Sequence, residues 1–190
     1  MVNMEHKKVS KLLEIIGYIF MSLSCLEITF FISLNFMEFN NIETNPILLS
    51  EFIYGSNYIS LTGTVLWLIL IISMGCYAIV GFVMFKTAKS NKIKNNLLAK
   101  LMVVIGMVIL LGALVKMNYI VLLGKTDIST LSGDISFQSA LYDFDIIPIL
   151  PAIFWIYFIS ATCCFMIGGL IITTLGIKWN LLIEKPEDTK

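Results

Sequence analysis

The sequence contains no arginine; all 13 of its basic residues are lysine. It therefore lacks the planar guanidinium fork that grips phosphate and carboxylate groups, and its net charge is zero. Nothing in it points to nucleic acid. Histidine occurs once, as His6, in a polar amino-terminal stretch. That excludes a haem held by two histidines inside an apolar run, and any histidine metal cage. Cysteine occurs four times, as Cys25, Cys76, Cys163 and Cys164. All four fall within apolar runs and none forms a C-x-x-C, so they read as small buried hydrophobes and not as a disulfide framework. Enzyme signatures are missing as well: there is no G-x-S-x-G, no H-E-x-x-H, no cysteine–histidine pair and no glycine-rich phosphate loop. The chain calls for no catalytic residue, no metal and no cofactor.

Charge of either sign is scarce. Charged residues make up 14% of the chain and hydrophobic ones 58%, with a mean hydropathy of +0.90. Soluble domains carry about 25% charged and about 45–50% apolar residues. The composition is that of an integral membrane protein, and the length suits one domain over residues 1–190.

Four apolar runs, at about 12–34, 61–85, 97–123 and 148–177, each reach the roughly 20 residues a helix needs to cross about 30 Å of hydrocarbon. They lack the alternation of barrel strands, so the expected structure is an all-α bundle of four transmembrane helices. The first run is too long for the apolar region of a signal peptide, contains Glu27, and is followed by the bulky Asn35-Phe36-Met37, so it reads as a retained span. Between the runs lie two longer polar segments, each with an apolar, tyrosine-containing piece (Ile47–Tyr58 and Phe137–Phe144). These pieces read as short helices lying on the outer surface and capping the bundle. Trp67, Trp155, Tyr58, Tyr157 and Phe154 sit near the outer boundary and read as an interfacial aromatic belt.

The lysines are sorted by position. Lys7, Lys8 and Lys11, then Lys86, Lys89, Lys92, Lys94 and Lys100, then Lys178, Lys185 and Lys190 all fall on one side of the expected membrane. The longer loops hold only Lys125. The positive-inside bias places both termini and the short link in the cytoplasm, in the cell membrane. Acidic residues dominate the outer loops, where they read as ordinary solvated charges.

The second half repeats the first. At an offset of 88 residues, Trp67 falls on Trp155, Cys76 on Cys164 and Gly81 on Gly169, so both halves read W-x8-C-x4-G. In the first span of each half the offset is 89: Lys11 falls on Lys100, Gly17 on Gly106, Ser24 on Ala113, and Glu27 on Lys116. Repeat 1 covers about 8–86 and repeat 2 about 97–178. Two spans per repeat make two tandem helical hairpins running in the same direction, related by a pseudo-two-fold axis along the membrane normal.

The duplication puts a carboxylate and an ammonium at equivalent positions. A lone charge in hydrocarbon costs from about 2.5 to over 10 kcal/mol, so Lys116 needs a partner, and Glu27 is the one the repeat supplies. Gly17, Ser24 and Glu27 share one quarter of a helix, as do Gly106, Ala113 and Lys116, and the small residues would let these two faces approach closely. Asn35, Asn118, Asp143 and Asp145 could extend a polar path outward. Asp143 and Asp145 resemble a D-x-D pair, but no third ligand is evident. Ser160, Cys164 and Gly168 form a small-residue stripe suited to helix packing, within the bundle or between protomers.

Three roles are open to the charge pair: a structural pair fixing helix register, a cation or proton site in a carrier, or an acid–base couple. The structural role leads, and with it a non-catalytic accessory or scaffolding subunit whose partners are the lipid bilayer and another membrane protein or a second copy. A small ion or solute carrier is the alternative.

Overall fold

The computed structural model describes residues 2–39, 47–55, 59–89, 95–130, 133–143 and 149–184. In chain order the elements are α1 (Val2–Asn35), β1 (Glu38–Phe39), β2 (Ile47–Leu48), α2 (Leu49–Tyr54), α3 (Leu61–Lys89), α4 (Asn95–Gly124), β3 (Asp127–Thr130), β4 (Gly133–Ser136), α5 (Phe137–Tyr142) and α6 (Ile149–Glu184). The chain is mostly helical, and among the described residues four helices are long and apolar enough to cross a membrane. The sequence of long helix, two-stranded hairpin, six-residue helix and long helix occurs twice.

The long helices are uninterrupted because their sequences give the backbone no alternative. Their one described proline, Pro151, sits in the first turn of α6, where its missing N–H is not needed. Hydroxyls that would compete for the backbone instead bond back along their own helix. Thr29 Oγ1 donates to Cys25 O at 2.9 Å, Ser160 Oγ to Ile156 O at 2.8 Å and Thr173 Oγ1 to Gly169 O at 2.8 Å. Capping is local: Ser60 Oγ accepts from the Gly63 N–H at 3.3 Å to start α3, and Ser136 Oγ accepts from the Ser139 N–H at 3.2 Å to start α5.

The chain packs as two compact units. One comprises Met1–Leu23, Cys76–Leu114 and Cys163–Lys190; the other comprises Ser24–Gly75 and Val115–Thr162. In the first unit, close helix approach depends on glycine. A Cβ on Gly17 would lie 2.8 Å from both Gly81 O and Phe85 N, and one on Gly81 would lie 2.7 Å from Met21 N. The same arrangement joins α4 to α6: a Cβ on Gly106 would meet Thr173 N at 2.6 Å and Gly169 O at 2.8 Å. Aromatic rings fill the rest. Tyr77 stacks on Phe165 with centroids 4.2 Å apart and its hydroxyl donates to Ile109 O at 3.1 Å, while Phe20 meets Phe165 edge-on at 5.0 Å. Ser10 Oγ donates to Ala88 O at 2.5 Å near the ends of α1 and α3.

The second unit has a large-residue core. Phe137, from α5, lies edge-on to Trp67 at 6.1 Å and to Trp155 at 5.6 Å, and Phe31 packs on Trp67 at 4.5 Å. Leu49, Phe52 and Ile53 from α2 and Ala140 and Leu141 from α5 are buried in the same cluster. The hairpins are antiparallel: Glu38 pairs with Leu48 and Phe39 with Ile47 in one, Asp127 with Ser136 and Ile128 with Ile135 in the other. Gly133 takes φ +125° where the second hairpin turns, a conformation side chains disfavour. Ile128 is buried and bridges to Ile59 just before α3.

Several expectations are corrected. The polar segments contain β-hairpins, which short alternations beside turn residues did not announce. Short helices do form in both pieces, with one face exposed (Glu51, Tyr54, Gln138, Tyr142) and the apolar face buried in the core. Trp67, Trp155 and Phe154 form part of that core instead of a belt, Tyr157 is half-buried against it, and Tyr58 lies outside the described residues. All four cysteines are exposed, on helix faces turned outward. The helices also run past the apolar cores of the spans, α6 as far as Glu184.

The glycine contacts set a test. Gly81→Ala and Gly169→Ala should each lose about 1–3 kcal/mol, the usual penalty for overpacking. Gly75→Ala should lose nothing, since an added Cβ there meets no atom within 4 Å. Unfolding titrations in detergent micelles check the difference.

Candidate functional site

Glu27 lies on the inward face of α1, in a buried stripe that continues through Phe31 and Leu34. Lys116 lies on the inward face of α4, in a stripe that runs from Ala113 through Ile120 to Leu123. The three- and four-residue spacing of these positions keeps each stripe on one side of its helix. Lys116 Nζ donates to Glu27 Oε1 at 2.5 Å and to Oε2 at 2.7 Å, and neither side chain has any exposed surface. This is a two-oxygen grip on a desolvated carboxylate, with charge-assisted hydrogen bonds of the short, strong kind. Lys116 makes further interactions besides these.

Among the described residues, two further polar side chains are buried. Ser24, one turn before Glu27, is fully buried and its hydroxyl has no hydrogen-bond partner. Thr162 is also buried, and its hydroxyl donates to Phe158 O at 2.7 Å. In this structure neither group is open to solvent. The pair as it stands can hold two helices in one register, because a shift of either would strand a charge in an apolar core.

The outward polar path is not assembled. Asn118 is exposed, because two residues past Lys116 is about 200° round the helix. Asn35 is half-buried and donates to Phe31 O at 2.7 Å, which ends α1; its Oδ1 is buried without a partner. Asp143 is exposed and closes α5, its N–H donating to Ala140 O at 3.2 Å. Asp145 lies outside the described residues. Among the described residues no three histidine, cysteine or acidic side chains gather as a metal cage.

The packing residues divide differently from the expectation. Gly17 and Gly106 are buried, but each faces the partner helix of its own half, Gly81 on α3 and Gly169 on α6. Ser24 and Ala113 are buried. Ser160 and Cys164 are exposed while Gly168 is buried against the Phe20 ring. A four-residue step advances about 40° beyond a full turn, so a stripe two steps long rotates out of one face and into another. The Tyr77–Phe165 stack was not anticipated. Its signal was present, since both residues directly follow the aligned cysteines Cys76 and Cys164.

Glu27→Gln and Lys116→Met should each destabilise the protein by about 3–5 kcal/mol, because one buried charge loses its partner. The double variant should recover most of that loss. A double-mutant cycle by unfolding in micelles measures the coupling, and additive losses would show that the two groups do not act as a pair.

No protein-family model matches the chain, and no curated protein or solved structure is significantly similar to it.

Proposed function

We propose that the chain is a multi-pass membrane protein with a non-catalytic role, an accessory or scaffolding subunit whose fold is held in register by the Glu27–Lys116 pair. The observation that carries this reading is the zero exposure of both side chains. An ion or proton carrier would need its site to open to water on at least one side, and an enzyme would need it to meet a substrate. A structural pair needs neither.

Membrane residence is supported by the outward faces of the helices. Only 28–33% of the most apolar stretch of each long helix is buried. Ile72, Ile79, Leu111 and Ile167 are 59–64% exposed. Surfaces of this kind demand an apolar surrounding. The distribution of lysine supports cytoplasmic termini in the cell membrane. The recurring element order supports two tandem hairpins about a pseudo-two-fold axis, as do matching details in the two halves. Leu49 N–H donates to Met37 O and Phe137 N–H to Thr126 O, both at 2.8 Å, and these pairs coincide at the offsets of 88 and 89. The change of offset falls within the hairpins, where the stretch from Phe39 to Ile47 is one residue longer than that from Ile128 to Ile135.

Two measurements test the reading. In a cysteine-free background on intact cells, an impermeant maleimide should label Gln138→Cys and spare Lys89→Cys; the reverse pattern would invert the topology. In proteoliposomes, the parent and the Glu27→Gln/Lys116→Met double variant should both be as tight to protons and monovalent cations as protein-free vesicles. A flux in the parent that the folded double variant loses would replace the structural role with a carrier.

A further inference from the structure

We propose that the two halves bind each other as a fused isologous pair, and that Glu27 and Lys116 are the recognition code that allows each half to accept only the other. The proposal rests on the duplication inferred above. It assigns a partner to a surface: each half's inner face fits the opposite half of the same chain and rejects a half of its own kind.

An isologous interface has two marks. Contacts come in exchanged pairs, and positions on the axis meet their own equivalents. Both marks are present. In the first unit Phe20 of α1 packs on Phe165 of α6, and their equivalents are Ile109 of α4 and Tyr77 of α3. Those two residues are also in contact, through the Tyr77 hydroxyl on Ile109 O. Self-meeting occurs in each unit. Tyr77 stacks on Phe165, its own equivalent at an offset of 88, with the rings 4° from parallel. Glu27 binds Lys116, its own equivalent at an offset of 89. Contacts within a half recur too, as the Gly17–Gly81 and Gly106–Gly169 approaches do.

The code follows from the self-meeting. If two copies of the first half paired through this face, Glu27 would meet Glu27; two copies of the second half would bring Lys116 onto Lys116. Either puts like charges in contact in a dry core, the repulsive element that specificity between similar partners requires. Only the unlike pairing is neutral.

The test uses the full chain carrying a protease site in the 90–94 link, cut after purification in mild detergent. Native mass spectrometry should find the parent halves only as first-with-second pairs. The Glu27→Gln/Lys116→Met chain, cut and incubated in the same way, should also form first-with-first or second-with-second pairs. Parent halves that separate, or a neutral double variant that keeps only unlike pairs, would overturn the proposal. Uncut, the reversal Glu27→Lys/Lys116→Glu should regain the parent's unfolding midpoint, whereas each single reversal should lower it or prevent accumulation; a double reversal no better than the singles would also overturn it. One variant pair avoids buried charge altogether. Tyr77→Phe should lower the midpoint, and adding Phe165→Tyr should restore it, because the moved hydroxyl reaches the equivalent carbonyl of Phe20. No restoration would count against the isologous geometry. Failure of the membrane reading would be seen separately, as parent protein recovered without detergent.

Discussion

The fold depends on one ion pair closed off from solvent. A carboxylate and an ammonium taken out of water lose several kcal/mol each of hydration, and their attraction in the dry core returns most of it only when the geometry is good. Lys116 meets both oxygens of Glu27 within 2.7 Å, which satisfies that condition. The net contribution to stability is small, but the penalty for separating the partners is not. A pair of this kind contributes less as glue than as a constraint. Any packing of α1 against α4 that slides or rotates either helix strands a charge and is excluded.

Stability comes from elsewhere, and the two units achieve it in different ways. Around Trp67, Phe137 and Trp155 the core is built from large rings, whose buried area does the work and whose edges interlock. The short helices α2 and α5 exist to deliver such residues, and the hairpins turn the chain so that they arrive inward. In the other unit the same helices approach through glycine, at distances where one extra carbon would collide with a neighbour's backbone. Large-residue packing tolerates some adjustment of rotamers; backbone-to-backbone packing does not. The charge pair lies on the large-residue side, where neighbouring helices would otherwise have freedom to adjust.

How far the sequence speaks for this arrangement depends on the scale of the signal. The four helices are legible because runs of more than 20 apolar residues have few alternatives. A charge embedded in each of two such runs, at matching positions, is legible for the same reason. The hairpins are not: β1 and β2 are two residues each, too short for an alternating pattern, and their pairing is fixed by where the flanking helices end. Glycine spacing showed that Gly17 and Gly106 lie on packed faces but not which helix each faces, since a buried stripe a quarter of a turn wide touches two neighbours. Trp67 and Trp155 read as interfacial because polar segments closely precede them in sequence. The chain folds those segments back over them, which composition alone does not reveal. Depth alone puts Asn118 on a polar path, but helical rotation carries it to the opposite side.

The positions where the halves agree and differ have a physical order. Gly17 and Gly106, Gly81 and Gly169, and Trp67 and Trp155 are identical pairs. The glycines pack within a half, so each half needs the same residue for the same reason. Glu27 with Lys116 and Tyr77 with Phe165 are the self-meeting positions, and there the halves differ. A residue that meets its own copy must suit itself. A carboxylate facing a carboxylate repels. Within one chain that restriction is lifted, since each position can differ alone. On the proposed duplication, a charge at such a position is tolerable only opposite its counter-charge, which a symmetric dimer of either half does not supply.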